Sequence, residues 1–334
     1  MGGPSWGPPV LLDQEMAKHP HRETDLQLMQ RIGWHRVKAV EDRAMQRNFW
    51  KAFAFMSPAI VLVCGLLLMP VVYNIYFSFT KWKKFAGLDE FAGFSNYAKL
   101  PGNPYFDAAF YNTAVWVAAS VVFPLAIGFG LAVFLRGVAF GNLFKNIIFL
   151  PRILAPTAVA VIWFHVYAPH GVLNSLLAMT TGRPVDIGWL YQDNTVTPAI
   201  IATFVWQSVG LVMVLVLLGL SAIPKDPLEA ARVDGATNAQ AFWHIVMPLL
   251  MPTLVVVTIL SVLSGFTTFD LLWVMGVGYP GQRTLSLAVY MYFESFQKGS
   301  WAFGSAIAVI IGFVVFSVTW IQTVMQSRVD KMTR

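Results

Sequence analysis

The apolar residues of this chain occur in runs that are long enough to cross a lipid bilayer. A hydrocarbon core of about 30 Å needs about 20 predominantly apolar residues in a helix, since no lipid-exposed backbone amide can be left without a hydrogen-bond partner. Hydrophobic residues make up 57% of the 334 residues and charged residues 12%, outside the range of soluble globular domains. We therefore predict an all-α, polytopic membrane protein with six spans. The predicted spans are residues 52–73, 108–135, 147–168, 198–222, 245–275 and 301–325.

The lysines and arginines outside these spans are unevenly distributed. Most of them fall on one side of the membrane if the six spans alternate in direction, with Lys81, Lys83 and Lys84 as exceptions. Basic residues accumulate on the cytoplasmic side, so both termini are predicted to be cytoplasmic. The predicted cytoplasmic segments are 1–51, 136–146, 226–244 and the residues after 325, and the predicted outer segments include 86–104 and 282–300.

Residues 1–50 are predicted to be a cytoplasmic extension. They mix acidic with basic residues and contain no apolar core, unlike a cleaved signal peptide. Thr24 and Gln27 have the spacing of a capping box, which would start an amphipathic helix at the membrane interface. A solvated tail is an equally open interpretation. Residues 51–334 are predicted to form the six-span domain, and anionic lipid headgroups, without nucleic acid, account for the net charge of +6.

The sequence contains no pattern typical of catalysis or of metal binding. Cys64 is the only cysteine, and the six histidines are scattered without metal-ligand spacing. No segment matches G-x-S-x-G or the phosphate-binding P-loop G-x-x-x-x-G-K-[ST]. We therefore expect a protein that is not an enzyme and binds no metal or cofactor itself.

A polar segment, DPLEAARVDGATNAQAFWHIVMP at 226–248, separates the fourth and fifth predicted spans. Asp226, Pro227 and Glu229 have the order expected at the N-cap, first and third positions of a helix. Gly235 follows less than two turns after Glu229, where a left-handed backbone would end the helix. The segment is therefore predicted to contain a short helix followed by a tight glycine bend.

A second helix is predicted directly after the bend. Thr237 and Gln240 form another capping box, from which a helix runs into the fifth span. Ala230 and Ala231 leave one side of the first helix smooth enough for another protein to approach its backbone closely. An amphipathic loop helix resting on the bilayer explains the same pattern equally well.

This segment resembles the EAA loop of permease subunits in bacterial binding-protein-dependent ABC importers. The family pattern is E-A-A, three residues, G, nine residues and I-x-L-P, and here Met247 replaces leucine with nearly the same volume. In that family the loop is the coupling helix that fits a cleft on the ATP-binding subunit, and the resemblance implies the same role here. The matching positions in the loop at about 225–248 are Glu229, Ala230, Ala231, Gly235, Ile245 and Pro248.

The resemblance extends from about residue 52 to the end of the chain and is to the carbohydrate-uptake branch, which includes the maltose and glycerol-phosphate permeases. It implies a subunit of an ATP-driven sugar importer that works by alternating access in the bacterial cytoplasmic (inner) membrane. The implied partners are a second permease subunit in a heterodimer, a P-loop ATPase dimer that binds ATP and Mg²⁺, and a periplasmic or extracellular sugar-binding protein. The stretches that carry the resemblance are 57–82, 91–100, 149–174 and 266–296, the last with Gly278, Tyr279 and Pro280 where Gly-Gly-Pro is common.

A secondary transporter or channel that needs no ATPase is the alternative. Proton- and sodium-coupled carriers contain several intramembrane carboxylates and an inverted repeat. The predicted spans contain one carboxylate, Asp270, and no detectable repeat, which favours the importer.

The spans contain the side chains that a sugar-binding site needs, namely aromatic rings and neutral hydrogen-bonding groups. Each also has an ordinary alternative role, since Trp anchors helix ends, Thr bonds its own backbone and a lone His packs. Arg152 either extends to the membrane surface or contacts an anionic ligand. We expect a neutral or weakly charged glycoside or polyol, and the particular sugar stays open. The candidate substrate residues are Trp163, His165, Trp206, Gln207, Ser208, Thr267, Thr268, Asp270 and Trp273.

The predicted orientation is testable by thiol labelling. In a Cys64→Ala background, the Gly102→Cys variant should react with an impermeant reagent added outside the cell. The Thr237→Cys variant should react only when the reagent reaches the cytoplasmic side. Labelling of the Thr237→Cys variant from outside would overturn both the orientation and the docking role of the polar loop.

Overall fold

The computed structural model describes residues 50–83, 90–136, 138, 141–276 and 281–332. The predicted capping box at Thr24 and Gln27 and the turn at Gly278, Tyr279 and Pro280 lie outside these residues. Within the described part of the chain the regular structure is helical, apart from isolated bridge positions at Thr80, Lys83 and Phe91, of which Thr80 and Phe91 pair in antiparallel orientation. The prediction of an all-α fold is confirmed.

Twelve helices occur in the described residues, and a π-turn, Phe293–Gln297, directly follows the eleventh. Five of them, α1, α3, α7, α9 and α12, are long and apolar enough to cross a membrane, and the number is six if the bent pair α4 and α5 is one span. The helices are α1 Trp50–Ser78, α2 Ser95–Ala98, α3 Pro104–Phe134, α4 Gly141–Ile153, α5 Pro156–Val166, α6 Val172–Thr181, α7 Val196–Ala222, α8 Asp226–Val233, α9 Asn238–Thr267, α10 Asp270–Met275, α11 Leu287–Tyr292 and α12 Trp301–Met332.

The third predicted span, 147–168, is not one helix. It consists of α4 and α5, whose axes differ by 99°. Pro156 opens α5, and Ala155 before it is extended with ψ 136°. The proline ring disfavours a helical conformation for the residue that precedes it, so the helix cannot continue through this point.

The fifth predicted span, 245–275, begins earlier and ends earlier than expected. Helix α9 starts at Asn238 and ends at Thr267, after which Thr268 is extended with ψ 108°. Asp270 was expected within a long helix, but it lies in the first turn of the separate helix α10. A carboxylate in a first turn is stabilised by the free amides and the positive end of the helix dipole.

The chain divides into two compact units, Met1–Val72 and Tyr73–Arg334, which are described separately. The described part of the first unit is the α1 segment up to Val72. In the second unit α7 is the most buried span and packs against α3, α4 and α9. Small residues allow this contact, because a Cβ on Gly128 of α3 would lie 2.7 Å from Val212 Cγ1 and one on Gly210 of α7 would lie 2.7 Å from the Phe149 Cα.

Buried apolar residues of the second unit form two clusters. One surrounds the amino-terminal half of α7 and includes Trp116 and Phe204. The other surrounds its carboxyl-terminal half, beside the polar loop, and includes Val216 and Leu250. The polar residues between the two clusters therefore lie at the middle of α7.

Because α7 lies so close to α4, replacing Gly210 by alanine should lower thermal stability, whereas replacing Gly130 should not. Gly210→Ala adds a methyl group against the α4 backbone and should lower the thermal unfolding midpoint of the detergent-solubilised protein by roughly 5 °C, the effect of about 1–3 kcal/mol of overpacking. Gly130→Ala is the matched control, because a Cβ there has no neighbouring atom within 4 Å, and it should leave the midpoint unchanged or raise it. Equal midpoints for the two variants would contradict the packing described.

Candidate functional site

Helix α8 of the polar loop begins at Asp226, one residue earlier than predicted for its first helical position. Lys225 occupies the N-cap position without a side-chain hydrogen bond, and its carbonyl oxygen accepts the amide of Glu229 at 2.9 Å. The predicted N-cap role of Asp226 is therefore wrong. Asp226 and Glu229 both lie in the first turn, where their negative charges still interact favourably with the helix dipole.

The predicted glycine bend and second capping box are confirmed. Gly235 has a left-handed φ of 81°. The amide of Ala236 donates to the carbonyl oxygen of Ala231 at 2.9 Å, the hydrogen bond of a Schellman motif. Thr237 then caps α9: its hydroxyl accepts the Gln240 amide at 3.3 Å, and the Gln240 side chain accepts the Thr237 amide at 2.8 Å. The loop is thus a helix, a tight bend and a helix.

The outer surface of α8 is free for contact with another molecule. None of its residues is buried, Glu229 and Ala230 are exposed, and Val233 is 87% exposed. Leu228 packs against the second apolar cluster and anchors the helix. An exposed valine on a short, anchored helix is typical of a docking surface.

The motif residues Ile245 and Pro248 belong to α9. Ile245 is half-buried in a π-turn, Phe242–Val246, in which the Met247 amide donates to the Phe242 carbonyl oxygen. Pro248 follows at once and is exposed. Proline has no amide hydrogen, so the α-helix would lose one backbone hydrogen bond at Pro248. The π-turn lies directly before this position.

Gln207 forms a hydrogen bond with the backbone at the break between α4 and α5. Its side-chain amide donates to the carbonyl oxygen of Leu154 at 3.1 Å, and Gln207 itself is only 5% exposed. Carbonyl groups at the end of a helix have no partner within that helix, and an apolar environment makes a missing partner costly. Gln207 therefore holds the bent span against α7.

The neighbours of Gln207 on α7 face other surroundings. The Trp206 ring lies 5.5 Å from the Trp163 ring of α5, and Trp206 is 38% exposed. Trp163 also packs against Tyr167 at 5.2 Å. Ser208, buried at 9% exposure, lines a cavity of about 20 Å³ to which Arg152 also contributes. Successive residues of a helix point about 100° apart, so the three candidates meet three different environments.

The second helix break lies beside the first. The hydroxyl of Thr157, in the first turn of α5, donates to an Asp270 carboxylate oxygen at 3.4 Å. Thr267 and Thr268 donate to carbonyl oxygens of their own helix, those of Leu263 and Ser264, at 2.9 Å and 2.6 Å. The two interrupted spans thus place polar groups next to each other. Thr157 was not a predicted site residue, although its place directly after Pro156 was a signal for it.

The remaining candidates lie elsewhere. Trp273 stacks on Phe269 at 5.7 Å and packs against Tyr292 at 4.9 Å, forming an aromatic cluster of its own. His165 is exposed and contacts the ring of Phe164. Arg152 is exposed in the last turn of α4, where a cation is favoured by the helix dipole.

Residues 110–331 match the binding-protein-dependent transport system inner membrane component, and the chain belongs to that family. It is 35% identical over 260 residues to a probable ABC transporter permease protein of Pyrococcus horikoshii, covering 77% of this chain and 89% of that protein. It is 28% identical over 292 residues to a multiple sugar-binding transport system permease protein of Streptococcus mutans, covering 86% of this chain and 98% of that protein. This chain is therefore a multi-pass membrane transport subunit.

A solved structure has the same fold. A chain of a bacterial ABC transporter involved in the import of the acidic polysaccharide alginate superposes with a TM-score of 0.73 at 21% sequence identity, covering 84% of this chain and 96% of that chain.

We predict that the groups around the first helix break serve transport. In the reconstituted importer, Trp206→Ala and Gln207→Leu should each lower solute uptake roughly tenfold, the effect of losing about 1–1.5 kcal/mol of ring contact or hydrogen bonding. Trp273→Ala is the matched control, because it removes a tryptophan from the separate aromatic cluster, and it should retain most of the uptake. Unchanged uptake in both α7 variants would refute this placement of the site.

Proposed function

We propose that the chain is the membrane-spanning subunit of an ATP-driven importer of sugars, glycosides or polyols. Membership in a family of importer permeases and the relative named for multiple sugars support this class. The ring pair Trp163 and Trp206 beside hydrogen-bonding groups suits a solute that has hydroxyls around apolar faces. With a second permease subunit, the chain forms a path that opens alternately to the two sides.

The observation that carries the coupling role is the form of the polar loop. It is a short helix without buried residues, and its orientation is fixed by Leu228, Gly235 and the Thr237 capping box. When a docked partner moves a rigid helix of this kind, the movement is passed to α9, which follows α8 in the chain. We propose that this EAA-type loop docks on an ATPase dimer, which binds ATP and Mg²⁺ and hydrolyses ATP outside this chain.

The remaining parts of the assembly follow from this role. A sugar-binding protein on the outer side delivers the solute, and both termini of the chain lie in the cytoplasm, in agreement with the distribution of basic residues. The site of action is the bacterial cytoplasmic membrane. A secondary transporter would not need an exposed, capped loop helix of this kind.

Whether the path through the spans prefers an anionic or a neutral solute depends on Arg152. Arg152 lies at the α4 end, exposed, and also borders the small cavity that contains Ser208. A neutral solute makes no use of a guanidinium, whereas an anionic one binds it strongly. Arg152 is therefore the residue through which this part of the path would distinguish the two kinds of glycoside.

The coupling role predicts that the same backbone strain has different effects at two glycines. Gly235 in the polar loop and Gly182 after α6 have left-handed φ values of 81° and 66°, and neither has an atom within 4 Å of an added Cβ. Valine costs about 1–2 kcal/mol in this conformation at either place. Gly235→Val should abolish most of the ligand-stimulated ATPase activity and uptake of the reconstituted importer, while the protein still inserts.

Gly182→Val is the matched control and should leave stimulation of the ATPase largely intact. Binding of the ATPase subunits to each variant, measured by co-purification, separates loss of docking from loss of insertion. Near-normal ATPase stimulation and uptake in the Gly235→Val importer would sink the coupling assignment.

A further inference from the structure

A large polar cavity lies apart from both helix breaks. Its volume is about 860 Å³, within the range of small-molecule sites. It is formed where the chain after α1 meets the start of α3, the end of α11 and the start of α12. The residues that contribute charge or aromatic surface to it are Lys81, Trp82, Lys83, Glu90, Lys99, Tyr105, Tyr290, Glu294, Lys298 and Phe303. Most of them fall in segments that the basic-residue distribution places outside the cell.

Hydrogen bonds hold the walls of this outer cavity in place. The side chain of Asn96, itself 6% exposed, donates to the carbonyl oxygens of Ser78 and Thr80 at 2.9 Å and 2.8 Å. The Ala302 amide donates to the Trp82 carbonyl oxygen at 3.1 Å. These contacts tie the loop after α1 to α2 and to α12, so the cavity is preformed.

The floor of the outer cavity is a buried polar network. Glu294 is 5% exposed and accepts from Lys298 Nζ at 2.6 Å. Tyr290 is 2% exposed and stacks on Tyr105 at 6.4 Å, and burial together with the charge of Glu294 raises the pKa of its phenol. Tyr290 thus stays a neutral hydrogen-bonding group at physiological pH.

The charges that line the outer cavity do not balance. Lys81 pairs with Glu90 at 2.9 Å and Lys298 pairs with Glu294. Among the described residues, neither Lys83 nor Lys99 has a carboxylate at ion-pair distance, and both are exposed. Among the described residues that line the cavity, two ammonium groups therefore have no carboxylate partner.

Aromatic faces accompany these cations. Trp82 is half-buried and stacks on Trp301 at 5.2 Å with an angle of 24°, which fixes its ring plane. Tyr105 is 45% exposed, Lys298 Nζ lies 5.7 Å from its ring centroid, and Phe303 also lines the cavity. An acidic saccharide is recognised by a fixed aromatic ring, by neutral hydrogen-bonding groups and by two neighbouring cations. The ring contacts C–H groups of the sugar, and the cations contact its anionic group.

We propose that the outer cavity binds an anionic saccharide unit, with Lys83 and Lys99 contacting its carboxylate or sulfonate group and Trp82 or Tyr105 contacting its ring. The saccharide part of this assignment rests on the proposed function, whereas the anionic part rests on the charges of the cavity. The site selects charge before the solute reaches the path between the helix breaks.

Binding to the assembled importer in nanodiscs of zwitterionic phosphatidylcholine tests the proposal. The probes are a digalacturonate disaccharide and its neutral galactose counterpart, measured by isothermal titration calorimetry without ATP. Digalacturonate should bind the wild type more tightly than the neutral disaccharide, and Lys83→Gln combined with Lys99→Gln should weaken it about tenfold, as expected for the loss of two exposed charge contacts. Higher salt should also weaken binding.

Two control variants locate the effect. Arg183→Gln removes an exposed cation outside the cavity, in a segment also predicted to be outside the cell, and should leave affinity unchanged. Trp206→Ala alters the site at the first helix break and should weaken digalacturonate binding less than the double lysine variant does. A loss in the Trp206→Ala importer equal to that of the double lysine variant would place the ligand in the deep path and overturn the proposal.

The remaining outcomes also decide the matter. Equal affinity for the neutral disaccharide, or an unchanged affinity in the double lysine variant, overturns the anionic assignment. In a parallel series, phosphatidylglycerol is added to the phosphatidylcholine nanodiscs. If it binds through Lys83 and Lys99 and digalacturonate does not, the ligand is a lipid headgroup and the saccharide assignment is wrong. If digalacturonate binds as expected but no sugar is taken up, the proposed transport function fails while the binding site stands.

Discussion

The pairing of backbone polar groups within the spans is the constraint on which the rest of the structure depends. A helix that crosses hydrocarbon satisfies its own amides and carbonyl groups, and a broken helix does not. This chain interrupts its third span at Ala155 and ends α9 at Thr267, and Thr157 and Asp270 connect the two breaks by a hydrogen bond. Gln207 supplies the donor for the Leu154 carbonyl group. Polar side chains are thus brought to the middle of the bundle because the backbone requires them.

The backbone amides and carbonyl groups of the polar loop also need hydrogen-bond partners, but they find them in a different way. There the chain turns in water, and local residues alone complete the hydrogen bonds: a Schellman motif around Gly235 and a capping box between Thr237 and Gln240. No partner from elsewhere in the described chain is needed. A helix whose carboxyl end is closed by local hydrogen bonds keeps its shape when its surface is covered, and this property suits a part that transmits force.

Local signals in the sequence account for much of the fold. Helix α7 agrees with the predicted span to within two residues, because its apolar run contains no strong breaker. The bend at Ala155 could also have been predicted, since Pro156 restricts the residue before it. The end of α9 was missed because no proline or left-handed glycine marks Thr268, which leaves the helix in response to its packing. The outer cavity was missed because its residues come from four separate segments.

The sequence by itself determined the class of the protein, the number of crossings and the form of the polar loop, since apolar run length and capping residues act over a few neighbouring positions. Only the tertiary structure decided which polar groups meet. Thr157 contacts Asp270 across 113 residues, and Gln207 contacts Leu154 across 53. Such contacts depend on the rotation of each helix about its axis and on a 99° bend, and these are set by packing between helices that no local pattern encodes.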